Sequence, residues 1–289
     1  MTTSEPRLHA SATGQSATGA DWLDAHFQAF LPEYEAAVRG VGIQPGWRVL
    51  DAGCGGGGFV PLLADLVGPT GHVAALDPAE DNIARVRARL AAAPLPCPVE
   101  ARVGSLLALP YPDAAFEAVW LANVLMYLTD EELAPALAEC RRVLRPGGLL
   151  AAKEMDGGLL LVAPADPSLL ARLLEAGSRV AVPIQGFLRS RMLHGWWQRA
   201  GFVAVRQRAV PIERRAPLDP ANGRYVGELL ALWRGFAESL PISDADRATW
   251  QALTDPTAPA YLLDQPDFYH CDGNYVVTGR VPTPEVTAD

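Results

Sequence analysis

Five glycines lie close together in the stretch VLDAGCGGGGF, residues 49–59. Glycine loses more backbone entropy on folding than any other residue, so a run of glycines costs stability and needs a reason. One reason is that another molecule must come close to the backbone. Asp51 precedes the glycines, and a carboxylate there would repel a pyrophosphate but attract a cationic group such as an ammonium. The stretch therefore predicts a loop that binds a ligand with a positively charged end.

The positions of Gly53, Gly55 and Gly58 fit the pattern GxGxxG of nucleotide-binding loops. In such a loop the glycines follow a strand and precede a helix, and the next strand ends in an acidic residue that holds ribose hydroxyls. Asp77 has that place at the end of HVAALD. By itself the pattern leaves open a nicotinamide dinucleotide, another nucleoside cofactor or a flexible turn. A ribose together with a cationic amino-acid end favours S-adenosylmethionine.

Four segments, in order along the chain, carry a resemblance to a known family. They are VLDAGCGGGGF, HVAALDPAEDNI, VGSLLALPYPDAAFEAVWLANVLMYL and RRVLRPGGLLAAKE. Over residues 47–154 the sequence resembles a class I S-adenosylmethionine-dependent methyltransferase. The most similar group contains the ubiquinone and menaquinone biosynthesis methyltransferases and many small-molecule methyltransferases of bacterial secondary metabolism.

The resemblance implies that the cofactor is S-adenosyl-L-methionine, with S-adenosyl-L-homocysteine as its product. Asp77 would bind the ribose hydroxyls, the residues around Ser105 would contact the adenine, and Asn123 would lie near the transferred methyl group. The family commonly has an acidic residue where Ser105 stands, so this chain departs from the pattern at the adenine amino group. The cofactor-binding residues implied in this way are Asp51, Gly53, Cys54, Gly55, Asp77, Pro78, Gly104, Ser105, Leu106, Leu121 and Asn123.

Short apolar segments alternate with amphipathic ones, and this alternation predicts the elements that position these residues. Strands are predicted at 47–52, 72–77, 98–104, 116–122, 149–155, 202–212 and 274–281. Helices are predicted at 21–39, 61–67, 80–93, 130–144, 167–180, 188–200, 221–240 and 243–254. The expected fold is α/β. It is a Rossmann-like, mostly parallel seven-stranded sheet with helices on both faces, a helical N-terminal segment and a helical insertion before the last strand.

The sequence has no internal repeat and no Pro- or Ser-rich linker, which predicts a single methyltransferase domain over residues 21–289. Its cofactor-binding core is expected at residues 40–155. The acceptor-pocket elements are expected at 21–39 and 156–272. Residues 1–20 lack the layout of a signal peptide and are predicted to be a disordered leader.

The composition argues against several classes of partner. The net charge is −9 and no basic stripe occurs, so neither nucleic acid nor a membrane surface is an expected partner. No apolar run has the length of a membrane span. The four cysteines are far apart and form no CxxC pair, which indicates a reduced, cytoplasmic protein. No metal is predicted, the expected partner is a small-molecule acceptor, and a homodimer is left open.

Methyl transfer from a sulfonium is an in-line displacement, so the protein acts mainly by positioning the acceptor. A general base is needed only for an acceptor that carries a proton in its ground state. The catalytic residue is therefore unknown, and the candidates for a base are His194, Glu154 and His270. The segments outside the core are rich in aromatic residues, which favours a small, largely apolar acceptor. The candidate acceptor-binding residues are Phe30, Tyr34, Met126, Glu154, Arg189, His194, Tyr225 and Trp233.

The function expected from the sequence is S-adenosylmethionine-dependent methyl transfer to a small, largely apolar molecule in bacterial secondary metabolism. One alternative keeps the cofactor but not the methyl transfer, as in a cyclisation or a pericyclic reaction. Another is a non-catalytic cofactor-binding partner of a second enzyme. A nicotinamide-dependent oxidoreductase is a further alternative, which Asp51 disfavours.

Overall fold

The computed structural model describes residues 26–284 of the chain. The predicted leader at residues 1–20 and the first residues of the predicted helix at 21–39 lie outside this range. Within it, eight strands form one sheet: β1 (Arg48–Ala52), β2 (His72–Asp77), β3 (Val99–Val103), β4 (Phe116–Ala122), β5 (Leu144–Met155), β6 (Leu161–Ala163), β7 (Val203–Arg215) and β8 (Tyr269–Arg280).

The strand order is β3-β2-β1-β4-β5-β8-β6, and β7 also pairs with β8. The first five strands are parallel, whereas β8 runs antiparallel to β5, β6 and β7. β7 pairs along one edge of β8. β5 and β6 therefore share the other edge of β8, where they lie end to end and occupy one strand position. The sheet therefore has seven strand positions, and the predicted Rossmann-like, mostly parallel architecture is confirmed.

Nine helices cover the sheet within the described part of the chain, together with short 3-10 turns and a helical segment at 26–29. They are α1 (Leu31–Arg39), α2 (Val60–Val67), α3 (Glu80–Ala92), α4 (Asp130–Val143), α5 (Leu169–Ser178), α6 (Val182–Arg189), α7 (Leu193–Arg199), α8 (Pro220–Ser239) and α9 (Asp244–Thr254).

Side-chain caps fix the start of three of these helices, α4, α8 and α9, the last through Ser243. Before α4, the hydroxyl of Thr129 accepts the N–H of Glu132 at 3.2 Å, and the carboxylate of Glu132 accepts the N–H of Thr129 at 2.9 Å. Before α8, one carboxylate oxygen of Asp219 accepts the N–H groups of Ala221 and Asn222, both at 2.9 Å. Each cap satisfies amide groups that the helix leaves unpaired, so the sequence itself determines where the helix begins.

The central strands bury both faces, and their side chains alternate between two apolar clusters. On β1, Val49 packs into one cluster and Leu50 into the other, and on β4 Trp120 and Val119 divide in the same way. All four side chains have no solvent-exposed surface. This two-sided burial explains why the parallel strands are short, continuous apolar runs in the sequence.

The stretch RPGG at 145–148 lies inside β5, whereas the sequence predicts a strand that begins after it. The N–H of Gly147 donates to the carbonyl of Val281 at 2.9 Å, and the N–H of Val281 donates to the carbonyl of Gly148 at 3.0 Å. These bonds to the segment after β8 keep the stretch extended.

The predicted helix at 188–200 is interrupted. The structure has α6 and α7, separated by a 3-10 turn at Ser190–Met192. At this turn the N–H of Arg191 donates to a carboxylate oxygen of buried Asp156 at 2.9 Å. The last strand also begins at Tyr269, five residues before its predicted start, because β6 and β7 pair with its first residues.

Candidate active site

The glycine loop follows β1 at the carboxyl edge of the sheet. The N–H groups of Gly53 and Cys54 both donate to the carbonyl of Leu76 at the end of β2, at 2.7 and 3.0 Å. Gly53 has φ +77°, and a Cβ there would lie 2.5 Å from Cγ2 of Val124. Glycine adopts this conformation without strain, and its missing side chain allows the loop to approach the segment after β4.

Asp51 lies beside this loop and is 1% exposed. Among residues 26–284, no group makes a hydrogen bond to its Oδ2 atom. Burial, together with the neighbouring Asp77, raises the pKa of Asp51 to about 8. A buried carboxylate without a cationic partner is costly, and a bound ammonium group would remove that cost. Asp51 lines a cavity beside the glycine loop, so the site fits the cationic amino-acid end of S-adenosylmethionine.

Asp77 connects the glycine loop to α3 through hydrogen bonds. Its Oδ2 atom accepts the N–H of Gly55 at 2.9 Å, and its Oδ1 atom accepts from the N–H of Ala79 at 2.9 Å and from Nδ2 of Asn82 at 3.0 Å. The carboxylate lines the cavity and is 6% exposed. The bonds fix its orientation, and ribose hydroxyls could donate to its remaining lone pairs.

The segments expected to contact adenine divide into lining and packing residues. Pro78, Ser105 and Leu106 line the cavity. The Ser105 hydroxyl accepts the N–H of Leu107 at 3.1 Å. Gly104 does not line the cavity, and a Cβ at this glycine would lie 2.8 Å from Cδ1 of Leu76. Gly104 therefore allows close packing behind the site.

Asn123 lies where β4 and β5 end, in a left-handed conformation with φ +55°. Its N–H donates to the carbonyl of Lys153 at 2.8 Å, and its side-chain oxygen accepts the N–H of Met155 at 3.2 Å. Asn123 lines the cavity between the glycine loop and the apolar part described next. Leu121, which precedes it on β4, is fully buried and does not line the cavity.

The cavity has a volume of about 340 Å³ and continues from the glycine loop into a region that we call the acceptor chamber. Side chains from the N-terminal segment, the turn after β4, α5, α6 and α8 line this chamber. They are mostly apolar: Phe27, Tyr34, Met126, Met155, Leu160, Leu174, Pro183, Ile184, Phe187, Leu229, Leu232, Trp233 and Phe236.

Four side chains bring polar atoms into the acceptor chamber: His26, Tyr34, Tyr225 and Asp272. The hydroxyl of Tyr34 lies 2.8 Å from Nε2 of His26. The hydroxyl of Tyr225 donates to Oδ2 of Asp272 at 2.6 Å. Burial and the nearby Lys153 lower the pKa of His26 to about 3, so this histidine is neutral at physiological pH.

Of the predicted acceptor-binding residues, Tyr34, Met126, Tyr225 and Trp233 line the cavity. Phe30 does not, but its ring packs edge-on against Tyr225 with 4.7 Å between the ring centroids. It therefore supports the chamber wall from behind.

Glu154 does not line the cavity. Its carboxylate is fully buried and accepts the backbone N–H groups of Val124, Leu125 and Met126 at 2.8, 3.1 and 3.4 Å. These bonds hold the turn that carries Met126 into the chamber. The position corrects the expectation that Glu154 contacts the acceptor, and it argues against Glu154 as a base because three amide groups already occupy the carboxylate.

Arg189 also lies outside the cavity, although the sequence suggests that it contacts the acceptor. Its guanidinium forms an ion pair with Asp130 and donates to the carbonyls of Leu125 and Leu128, both at 2.9 Å. With these partners it joins α6 to the turn after β4. These contacts indicate a structural role for Arg189.

The two candidate histidines do not line the cavity either. His194 lies on α7, where its backbone N–H donates to the side chain of Gln207 at 2.7 Å. His270 lies on β8, has no exposed surface, and has no hydrogen-bond partner for either ring nitrogen among the described residues. Burial lowers the pKa of His270. Their positions argue against both as the base that takes a proton from the acceptor.

The sequence does not indicate four polar residues of the cavity lining: His26, Asn82, Tyr127 and Asp272. His26 belongs to the helical N-terminal segment, and the ring of Tyr225 that stacks on it comes from a part of the sequence nearly 200 residues away. Asp272 belongs to the long strand β8, where the sequence predicts a loop. An acidic residue within a largely apolar strand is the signal that could have identified Asp272.

The described residues contain neither a membrane-spanning helix nor a cluster of metal-ligating side chains. No helix within residues 26–284 has both the length and the apolar character needed to cross a membrane. Over the same residues, His, Cys, Asp and Glu side chains form no group of three or more that could hold a metal ion.

Known proteins of similar sequence match only a part of the chain. Residues 49–148 match the family model described as a methyltransferase domain. A demethylmenaquinone methyltransferase from Listeria monocytogenes is 37% identical over 109 residues, which cover 38% of this chain and 45% of that protein. The chain matches 33% to 45% of the length of its first curated relatives, so it is similar to a part of each of them.

Solved structures are similar over nearly the whole chain. The YcgJ protein from Bacillus subtilis has a TM-score of 0.54 and 16% identity, and the match covers 89% of this chain and 99% of that chain. Phosphoethanolamine N-methyltransferase 2 from Haemonchus contortus, solved with S-adenosyl-L-methionine, has a TM-score of 0.54 and 15% identity, with coverages of 90% and 57%. At such identities the likeness concerns the fold. The motifs and the family model agree over residues 49–148, and this part of the chain is similar to S-adenosylmethionine-dependent methyltransferases.

Proposed function

We propose that the protein transfers the methyl group of S-adenosylmethionine to a small, largely apolar molecule. One observation carries this proposal: a single cavity joins the glycine loop and Asp51 to the acceptor chamber. A cofactor on the loop and an acceptor in the chamber would therefore share one space. A role in bacterial secondary metabolism is the finer part of the proposal and rests on the sequence resemblance.

The bound cofactor supplies an activated methyl group on a sulfonium. The residues of the chain bind and orient the two reactants. Asp51 and the glycine loop support the amino-acid end of the cofactor, and Asp77 supports its ribose. The acceptor chamber excludes water and holds the acceptor in line with the methyl group, and such orientation can contribute about 7–11 kcal/mol of the barrier reduction.

The charges of the lining favour a neutral or cationic acceptor. Within residues 26–284, neither arginine nor lysine lines the cavity, whereas Asp51, Asp77 and Asp272 do. A phosphate-bearing acceptor would need a cationic side chain or a cluster of amide groups to hold it. The apolar character of the remaining lining supports an acceptor that buries mostly carbon.

Calorimetric titration of the purified protein with S-adenosylhomocysteine, with NAD as the control ligand, tests the cofactor part of the proposal. We expect one molecule of S-adenosylhomocysteine to bind with micromolar affinity and NAD not to bind. Binding of NAD, or of neither ligand, would contradict the proposal.

The chemistry is tested by incubating the protein with S-adenosylmethionine carrying a tritiated methyl group and an extract of small molecules from the source organism. We expect tritiated product and S-adenosylhomocysteine to accumulate in equal amounts. Consumption of the cofactor without a methylated product would indicate non-methylating chemistry. No consumption, despite tight binding, would indicate a non-catalytic cofactor-binding protein.

A further inference from the structure

A single buried carboxylate interrupts the apolar lining of the acceptor chamber. Asp272 lines the cavity and has no exposed surface. Its Oδ2 atom accepts the hydroxyl hydrogen of Tyr225 at 2.6 Å. Its Oδ1 atom has no hydrogen-bond partner among residues 26–284. An ionised carboxylate in such surroundings is costly unless its oxygens are paired, so the free oxygen calls for a donor.

The polar groups nearest to Asp272 do not supply that donor. Nε2 of His270 lies 3.9 Å from Oδ2, beyond hydrogen-bond distance. The side-chain nitrogen of Asn274 donates to the backbone carbonyl of Asp272 at 3.4 Å and not to its carboxylate. The ammonium group of Lys153 lies 4.1 Å from the ring centroid of Tyr34 and has no hydrogen-bond partner among the described residues.

The surrounding rings fix the carboxylate in place. The ring of Tyr225 is stacked on His26, with 5.2 Å between centroids and 17° between planes, and it also contacts Phe30 edge-on. Because the hydroxyl of this packed tyrosine holds Oδ2, the direction of the free Oδ1 atom is fixed before any ligand binds. The chamber therefore combines an apolar, aromatic lining with one preorganised hydrogen-bond acceptor.

We propose that the acceptor is an apolar molecule carrying one hydroxyl or amino group, and that Oδ1 of Asp272 accepts a hydrogen bond from that group. This proposal rests on the proposed function, since it assigns the acceptor end of the same cavity. Asp51, the other carboxylate with an unpaired oxygen, lies beside the glycine loop and serves the cofactor. Asp272 thereby determines which molecules the chamber selects, and an acceptor without a donor group binds weakly.

Two probes of similar size test the proposal: 2-naphthol, which donates a hydrogen bond, and 2-methoxynaphthalene, which does not. Both are titrated by calorimetry into the full-length protein saturated with S-adenosylhomocysteine. We expect 2-naphthol to bind about tenfold more tightly, the ratio expected for a hydrogen bond to a buried charged group. Equal affinities, or no measurable binding of either probe, would overturn the proposal.

Two variants locate the contact. In Asp272→Asn the Tyr225 hydroxyl keeps the amide oxygen occupied, so an NH₂ group would face the chamber and the preference for 2-naphthol should disappear. In Tyr225→Phe the carboxylate remains but loses the hydrogen bond that fixes its direction, so the preference should shrink without disappearing. A preference that survives in Asp272→Asn, or one lost entirely in Tyr225→Phe, would overturn the assignment to Asp272.

The affinity for S-adenosylhomocysteine separates the two proposals. Wild-type protein that does not bind it contradicts the proposed function itself. Wild-type protein that binds it but does not distinguish the probes contradicts only the assignment to Asp272. Both variants should bind S-adenosylhomocysteine as the wild type does, and such binding shows that they fold. If Asp272→Asn does not fold, the comparison of the two probes in the wild type still tests the proposal.

Discussion

The two ends of the cavity are built in different ways. At the cofactor end, one loop and the ends of neighbouring parallel strands place backbone groups and two carboxylates, Asp51 and Asp77, around the part of the cavity proposed for S-adenosylmethionine. At the acceptor end, side chains come from the N-terminal segment, α5, α6, α8 and β8. The first end depends on local backbone geometry and the second on packing between distant segments. A substitution at one end should therefore leave ligand binding at the other nearly unchanged.

The largest effect is expected for Gly53→Ala, because the added Cβ meets Val124 and the positive φ disfavours a side chain. Affinity for S-adenosylhomocysteine should fall by at least about a hundredfold, since the loop must move away from the position that contacts the cofactor. Calorimetric titration measures this loss. Gly235→Ala, on α8 and outside the cavity lining, is the control, because nothing lies within 4 Å of the Cβ that it would add. Equal losses in the two variants would show that the loop is not shaped as described.

Asp51→Asn should weaken cofactor binding by about tenfold to a hundredfold, since it removes the charge that faces the ammonium group. The same change should stabilise the free protein. Folding raises the pKa of Asp51 from 3.8 to about 8, so the carboxyl group opposes folding as the pH rises through that range. The melting temperature of Asp51→Asn should exceed that of the wild type, and by more at pH 9 than at pH 6.

The same substitution at exposed Asp65, on α2, serves as the control for Asp51→Asn. Asp65→Asn should change neither cofactor affinity nor the pH dependence of the melting temperature. A melting temperature of Asp51→Asn below the wild-type value at pH 9 would contradict the assignment of Asp51 as a buried carboxylate that has no cationic partner until a ligand binds.

Asp77→Ala should weaken cofactor binding by about 1–3 kcal/mol, the range for lost hydrogen bonds to a charged group. The structure adds that this carboxylate also holds Gly55, Ala79 and Asn82, so the variant should lose some thermal stability as well. Asp81→Ala, an exposed acidic residue in the first turn of α3, is the control. Unchanged cofactor affinity in Asp77→Ala would contradict its assignment to the ribose.

The smallest effect on the cofactor is expected from Phe236→Ala, which changes only the acceptor chamber. Affinity for S-adenosylhomocysteine should stay within about twofold of the wild type, whereas 2-methoxynaphthalene should bind about fivefold more weakly because apolar contact area is lost. Calorimetry with both ligands measures the ratio. A large loss of cofactor affinity would show that the two ends of the cavity are coupled.

The same difference between the two ends decides what the sequence could predict. Apart from the start of β5, the strands and helices over residues 47–154 are predicted to within one residue because each has its own apolar period. Asp51, Gly53 and Asp77 could be singled out for the same reason: their roles follow from their place at the ends of strands. Their roles toward the cofactor remain predictions until binding is measured.

The acceptor end could be predicted only in part. The aromatic residues of the predicted helix at 221–240 suggested that Tyr225 and Trp233 contact the acceptor, and both line the cavity. The sequence could not show that the Glu154 carboxylate accepts hydrogen bonds from three amide groups, or that Arg189 forms an ion pair with Asp130. Both interactions depend on contacts with the turn after β4. Asp272 was missed because β8 begins earlier than its own pattern indicates, through pairing with β6 and β7.

Lys153 is the single lysine of the 289-residue sequence, and only 1% of it is exposed. Burial lowers the pKa of its amine, which is enclosed between the central strand β5 and the ring of Tyr34. Reagents that acylate lysine side chains, such as N-hydroxysuccinimide esters, can therefore reach this amine only when the segment that carries Tyr34 moves away from the sheet. The mass shift of the peptide that contains Lys153 thus reports how often this face of the sheet is uncovered, with no probe to be engineered into the protein.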